Sequence, residues 1–450
     1  MPSYLSPGVY VEEIPSAVQA IAGVSTSTAA FIGIVPDTVT LAFPNPDYDP
    51  TSKRPTVAPI KPVTVQSDPS GSPGAVSITD GGTTPAAPPS KSRGAAAQPA
   101  EDPSSVPFKT KSFTIQLPVN EARLFTNFSE FKRYFGDFST DPGHNQLVHA
   151  VFGFFNNGGS RLYVLRLTST AQIDSALEKF EAIDEISIVA TPGIIDAAVR
   201  ASLVAHCDKT PYRFAILDGS ETVPTVDESM LPPRTKNAAF YFPWIQVFDP
   251  GLKVREPDGP GTVFVPPSGH MAGVYARVDN SRGVHHAPVE VVLGALGLKY
   301  AISRAQQDGL NPLGINCIRE MNGNIRVWGA RTDGGDGNGE WKYINVRRAF
   351  QYISKSIDEG TQWVVFEPND LSLWAKITRN VSAFLTNVWH DGALFGATAA
   401  EAFYVKCDRE TNPSQLRELG QVVTEIGIAI VRPAEFVIFR ISQWTGPEGK

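Results

Sequence analysis

The sequence predicts an α/β chain (α+β, multidomain) with extended β-arms at both ends, and three observations carry that prediction. Strand and helix periodicities alternate between about 113 and 250, long amphipathic helices fall in the last third, and free-standing strand patterns occupy the two ends. In the alternating layer, Arg161 to Leu167, Ile186 to Ala190 and Tyr212 to Leu217 read as strands, with helices at Ala171 to Ile183 and Asp196 to His206 between them. Ahead of it, Leu147, Val148, Val151, Phe152 and Phe155 form an apolar stripe on a short helix that Asn156, Asn157, Gly158 and Gly159 terminate.

In the last third, Asn369 or Asp370 caps a helix predicted to reach about Asp391, where Gly392 ends it. Trp374, Ile377, Val381, Phe384 and Val388 recur along it in steps of three and four, which predicts one buried seam. A second helix, Trp341 to Asp358, turns Ile344, Ala349, Tyr352, Ile353 and Ile357 inward and is expected to turn Arg347 and Arg348 outward. Val422 to Ile430 alternates in character and reads as part of a β-ribbon.

At the ends, Tyr4 to Ile14 and Ala434 to Trp444 read as lone strands. A lone strand leaves a row of backbone donors and acceptors unpaired, so each must pair within its own domain or with another copy of the chain. Between Pro36 and Pro107 lie 15 of the 37 prolines, whereas all seven tryptophans lie between Trp244 and Trp444. Residues 36–112, rich in Pro, Ser, Thr, Gly and Ala, therefore predict a surface insertion, loosely structured or built from short strands. A tolerated decoration, an O-linked modification site and a small recognition module are all compatible with that composition.

Composition narrows the function. A 450-residue chain with 42% hydrophobic and 19% charged residues can bury a sizeable core. Its net charge of −7 argues against a general nucleic-acid binder, because phosphate affinity comes from an excess of Lys and Arg. Three widely separated cysteines, Cys207, Cys317 and Cys407, fit reduced thiols in a cytoplasm better than a disulfide framework. No apolar run has the length of a membrane span, and the N-terminal residues lack the pattern of a signal peptide.

Catalytic patterns are weak. Thr332 to Glu340 (TDGGDGNGE) sits between a predicted strand, Ile325 to Trp328, and a helix, but Glu340 stands where a dinucleotide loop needs glycine. As a calcium loop, Asp333, Asp336, Asn338 and Glu340 offer oxygens without the glycine that follows the third ligand of an EF-hand. His270, Asp279, His285 and His286 have no helical ligand spacing and read as surface loop. Ser129 and Lys132 match only the first element of a serine acylase pattern, and Glu367 and Asp370 suit a helix start better than an acid/base pair. A ligand near Asp218, at the end of a strand in the alternating layer, stays open as an enzymatic alternative.

Several ordered segments carry a family resemblance. They are SPGVYVEEI (Ser6 to Ile14), FFNNGGSRLYVLR (Phe154 to Arg166), RGVHHAP (Arg282 to Pro288), LNPLGINCIR (Leu310 to Arg319), VWGAR (Val327 to Arg331), YINVRRAFQYISKSI (Tyr343 to Ile357), WVVFEPND (Trp363 to Asp370), FYVKCDRETN (Phe403 to Asn412) and PAEFVIFRI (Pro433 to Ile441). In these the chain resembles the contractile tail sheath proteins of phage tails and extracellular contractile injection systems.

The resemblance implies a structural subunit, with no catalytic, cofactor or metal site. It polymerises with itself as a helical stack of hexameric rings around an inner tube protein, and meets baseplate and terminal cap proteins. On triggering the cylinder contracts without nucleotide hydrolysis and drives the tube through a target membrane, with no nucleic-acid partner and no membrane insertion of its own. A non-contractile filament of the same lattice is the alternative. The implied organisation is an N-terminal β-arm at 1–20, a conserved inner domain from 21–35 and 290–432, the insertion at 36–112, a middle α/β domain at 113–289, and a C-terminal β-arm at 433–450. Implied subunit contacts are Val9, Tyr10, Val11 and Glu12 in the first arm and Phe436, Val437, Ile438, Phe439, Arg440 and Ile441 in the second, with Arg417 and Glu418 as tube-facing candidates. Assembly in the cytoplasm, as part of a phage tail or a released tail-like particle, is expected.

Overall fold

The computed structural model of the chain describes residues 20–48, 106–222 and 231–438. In chain order the strands are β1 (Ala29–Ile34), β2 (Thr38–Pro44), β3 (Phe108–Thr114), β4 (Ala122–Phe125), β5 (Leu162–Leu167), β6 (Ile188–Ala190), β7 (Phe214–Asp218), β8 (Ala238–Phe242), β9 (Ile245–Phe248), β10 (Thr262–Val265), β11 (Ala295–Leu298), β12 (Ile315–Met321), β13 (Asn324–Val327), β14 (Phe403–Lys406) and β15 (Glu425–Ile428). The helices are α1 (Phe128–Phe135), α2 (Pro142–Asn156), α3 (Ile173–Glu181), α4 (Ala197–Lys209), α5 (Pro250–Arg255), α6 (Ser268–Arg282), α7 (Arg304–Leu310), α8 (Ile344–Gly360), α9 (Leu371–His390), α10 (Ala399–Ala402) and α11 (Ser414–Glu418).

Eight strands form the main sheet in the order β13-β12-β8-β7-β6-β1-β5-β4. Its interior pairs are parallel, and the edge strands β4 and β13 run antiparallel to their neighbours. A parallel interior has both faces covered, so its strands carry near-continuous apolar runs such as AAFIGI and FAILD. Alternation within β1 divides the two cores. Ala29 and Phe31 join the face that packs on α2 and α6, while Ala30 and Ile32 join the face that packs on α3 and α4.

Helix ends follow local chemistry. Asp141, Asp196 and Asp370 accept backbone N–H bonds at the starts of α2, α4 and α9, each satisfying donors the first turn would leave unpaired. The expected seam of α9 is buried throughout, from Trp374 to Val388, and Gly392 follows the helix at φ 81°. On α2, Leu147, Val148 and Val151 are buried as expected, but Phe152 lies outward and Phe154 takes its place inside. The helix packs so tightly against α6 that a Cβ on Gly273 would come within 2.5 Å of the Phe154 carbonyl oxygen.

A third apolar cluster joins Ile21, Ile353 on α8, the α9 seam, and residues of the antiparallel ribbon β14-β15. The ribbon confirms strand character within 422–430, over Glu425–Ile428. By internal packing the chain divides into residues 1–42 with 110–450, and residues 43–109. In the smaller unit, Asn45 holds the Val106 and Pro107 carbonyls through its side-chain and backbone nitrogens, at 2.8 and 3.0 Å. The rest of the Pro-rich insertion, 49–105, lies outside the described residues.

Two expectations change in three dimensions. Arg347 and Arg348 are buried, with 6% and 4% exposure, because each meets a partner far away in sequence: Arg347 Nε donates to Asn237 and Arg348 pairs with Asp279. His270 and Asp279 belong to helix α6, His270 buried and the Asp279 side chain only 3% exposed, so the loop reading fails there; Gly and Asn within that segment are tolerated because α6 is held by packing on α2 and the sheet. β1 is a central strand of the main sheet, and β12 extends that sheet from β8. Parallel pairing joins strands remote in sequence, so composition along the chain cannot reveal it.

Candidate functional site

Pro433 is followed by a carboxylate that fixes the last described stretch of chain to the body. Arg331 grips Glu435 with both arms of its guanidinium, Nε to Oε1 at 2.7 Å and Nη2 to Oε2 at 2.8 Å. Asn311 Nδ2 donates to Oε1 at 2.7 Å, and the Tyr343 hydroxyl donates to Oε2 at 2.9 Å. Burial alone would raise the Glu435 pKa, but the bonds from Arg331, Asn311 and Tyr343 prevail and hold it below the ordinary carboxylate range. Immediately beyond, Phe436, Val437 and Ile438 are 68%, 69% and 80% exposed. Three consecutive apolar side chains thus stand in solvent on a segment whose root is clamped. Phe439, Arg440 and Ile441, and Val9, Tyr10, Val11 and Glu12 of the first arm, lie outside the described residues.

The beginning of the described chain is rooted on the same helix. Arg348 of α8 donates to the Thr26 carbonyl at 3.0 Å, and Thr26 Oγ1 donates to Asp279 at 2.6 Å. One turn and two turns further on, Tyr352 lies against Gly23 and Ser356 Oγ accepts from Val24 N at 3.1 Å. Ile21 packs on Gly360 at the end of α8. Gln351 and Lys355 hydrogen-bond backbone carbonyls of Arg213 and Asp184, beside the main sheet. α8 therefore holds one chain root along its length and the other beside its N-terminal end, at Tyr343.

Among the described residues the ribbon β14-β15 has two strands, and Tyr404 on it is 59% exposed. A two-stranded ribbon is marginal by itself and offers edges for further pairing. Arg417 and Glu418 are exposed on the short helix α11. Near them the Asn369 side chain donates to the Gln421 carbonyl at 2.8 Å, joining the start of α9 to the end of that turn.

The residues considered for chemistry do not converge. Asp218 is buried, and burial pushes its pKa up to about 6 against hydrogen bonds from Ser268 and Gly193. Those bonds, Ser268 N at 2.8 Å, Ser268 Oγ at 2.6 Å and Gly193 N at 3.2 Å, occupy both carboxylate oxygens and tie strand β7 to α6. In the glycine-rich stretch, Asp333 is buried and pushed up to about 8, Asp336 pairs with Lys342 and Arg331, and the Asn338 amide braces Thr235, Thr332 and Asp333. Asp279 is taken by Arg348, while Asp370 caps α9. Lys132 pairs with Asp137. Among the described residues, no group of three or more His, Cys, Asp or Glu side chains is placed to hold a metal ion, and no helix is long and apolar enough to cross a membrane.

Sequence reasoning missed Glu435, Arg331, Asn311 and Tyr343 as a unit. The available signal was a single acidic residue inside an otherwise apolar strand pattern, PAEFVIF; its partners, more than 90 residues away, carried none.

The chain is similar to known proteins in sequence and in fold. The family model described as phage tail sheath protein central domain matches residues 168–332, and the phage tail sheath C-terminal domain matches 336–443. The tail sheath protein of Vibrio phage KVP40 is 27% identical over 181 residues, 39% of this chain and 26% of that protein. The tail sheath protein of Burkholderia phage BcepMu is 25% identical over 209 residues, 43% of this chain and 40% of its own length. The chain thus matches well under half the length of these curated relatives. Among solved structures, the sheath complex of the extracellular contractile injection system PVC, in its contracted state, superposes with a TM-score of 0.67 at 23% identity, covering 99% of each chain. The contracted helical sheath of the anti-feeding prophage gives 0.66 at 23% identity, over 98% of this chain and all of that one, a likeness of fold.

Proposed function

Because the chain belongs to the phage tail sheath family, we propose that it is a structural sheath subunit that polymerises with copies of itself into a helical cylinder around an inner tube. The cylinder shortens on triggering, without nucleotide hydrolysis, and drives the tube through a target membrane. The observation that carries this reading is the clamped root at Glu435 followed by exposed Phe436, Val437 and Ile438. An apolar segment held out from a folded body suits strand addition to another copy, where backbone bonds supply affinity and alternate side chains supply fit. The β14-β15 ribbon is the proposed acceptor, because its pairing would be extended by the arms of neighbouring copies. Rigid-body rotation about such paired strands lets subunits rearrange while they stay connected.

The energy of contraction is, in this reading, the difference between two packings of one lattice. Arg417 and Glu418 remain the proposed contacts to the tube, and baseplate and cap proteins the proposed terminal partners. Assembly takes place in the cytoplasm, and the product is a phage tail or a released tail-like particle. An enzymatic role centred on Asp218 has less support, since its oxygens already serve Ser268 and Gly193.

Electron microscopy of the chain expressed alone and with its candidate tube protein tests the proposal. Hollow striated cylinders, short and wide alone but long and narrow around a tube, are expected. Long cylinders that never shorten would select a static filament, and monomers in both samples would sink the sheath reading.

A further inference from the structure

We propose that Arg331 and Tyr343 are positioning residues for assembly: through Glu435 they fix the direction in which the C-terminal arm leaves the body, so that a neighbouring copy of the chain meets an arm already aimed. This rests on the strand-addition reading above and adds a mechanism that pairing alone does not supply.

Glu435 is the single acidic residue of the 433–441 sequence, and Arg331 holds it with two bonds. The body prepares its side of the clamp in advance. Arg331 is 3% exposed, its Nη1 donates to the Asn311 carbonyl at 2.9 Å, and its backbone N–H donates to Asn316 Oδ1 at 2.8 Å. A guanidinium whose Nη1 is already engaged by the Asn311 carbonyl and by Asp336 loses little freedom when it takes a carboxylate in two parallel bonds. Lys342 adds positive charge 3.8 Å from Oε2, and Asp336, 2.8 Å from the Lys342 ammonium and 3.2 Å from Arg331, balances the surplus.

The energetic consequence concerns binding. A strand tethered only by its backbone after Pro433 would sample many directions, and docking would have to remove that freedom. Clamping it in the folded monomer moves the cost from association to folding, which strengthens assembly without any new contact between subunits. The exposed side chains that follow Glu435 are then presented as a set.

The test measures the lowest protein concentration that gives sedimentable polymer, alongside the thermal midpoint of the unassembled subunit. Glu435→Gln keeps shape and all pairing residues but removes the charge; it is expected to raise that concentration about tenfold while lowering the thermal midpoint only slightly, because Asp336 still faces Arg331. Tyr343→Phe, which removes one hydrogen bond, is expected to raise it about threefold. A chain truncated after Pro433 is run in parallel. Failure of the truncated chain to assemble, with Glu435→Gln assembling like the unaltered protein, would overturn the clamp and leave the arm reading standing. Assembly of the truncated chain like the unaltered protein would overturn the arm reading, and the clamp with it. A Glu435→Gln thermal midpoint that falls in step with assembly would assign Glu435 to fold stability and overturn the positioning role.

Discussion

Arg348 Nη2 and Asp279 Oδ2 lie 2.6 Å apart with side-chain exposures of 4% and 3%, joining α8 to α6 inside the protein. The same carboxylate takes the Thr26 hydroxyl, and Arg348 donates to the Thr26 carbonyl, so three remote segments meet at one buried ion pair. Removing water from two charges is costly, and only this mutual satisfaction makes the arrangement tolerable.

Breaking the pair one-sidedly should therefore be severe. Asp279→Ala leaves a buried guanidinium without its counter-ion and is expected to lower unfolding free energy by about 3–5 kcal/mol. Urea denaturation of the unassembled subunit measures it, and a loss below about 1 kcal/mol would mean that water reaches Arg348.

The arms make a prediction with a clean phenotype. Deleting residues 1–14, or placing proline at Val9 and Val11, removes the donors of the first arm, and truncation after Pro433 removes the second. Each variant should yield soluble, folded subunits that do not polymerise. Sheaths of normal length from either would contradict strand exchange.

Acid should weaken the fold through two buried histidines. His270 is lowered to about 3 by burial and by neighbouring His149, and His206 to about 4 by burial and by Arg213, whose Nη1 lies 2.8 Å from His206 Nε2. For a histidine whose folded pKa is depressed, the unfolded chain binds the proton first, so stability is complete above about 6.5 and falls as pH drops below it. Between pH 6.5 and 5 each contributes a loss of about 2 kcal/mol. Urea midpoints of the unaltered protein and of His270→Gln across that interval should show a shallower pH slope for the variant.

Helix contact between α2 and α6 depends on the absence of a side chain at Gly273. Adding a Cβ there would bring it within 2.5 Å of the Phe154 carbonyl oxygen, a backbone atom that cannot swing aside. Gly273→Ala is expected to cost about 1–3 kcal/mol, despite alanine's better helix propensity. A thermal midpoint equal to or above that of the unaltered protein would show that the two helices can separate freely.

Periodic local signals were legible in the sequence. The α9 seam from Trp374 to Val388, the Asp370 cap and strands β5 to β7 could all be read because spacing and capping chemistry act within a few residues. What resisted reading is non-local. Arg347 and Arg348 carry the charge of surface residues, and nothing near them announces Asn237 or Asp279. Helix α6 hides behind Gly, Asn and Ser because its stability comes from packing rather than propensity. For the proposed assembly site, the apolar run at 436–438 was evident, whereas the carboxylate that precedes it looked incidental until Arg331 was seen beside it.

Helix α8 has a geometric implication for any lattice built from this subunit. Its 17 residues span about 25 Å, with Ile21 against Gly360 at one end and the Tyr343–Glu435 contact beside the other. In the lattice proposed above, the two attachment points of each repeating unit would be eyelets on one stiff bar. In a mesh of such bars the distance between eyelets is conserved, so length can be given up only by tilting the bars, and every loss of height must reappear as girth.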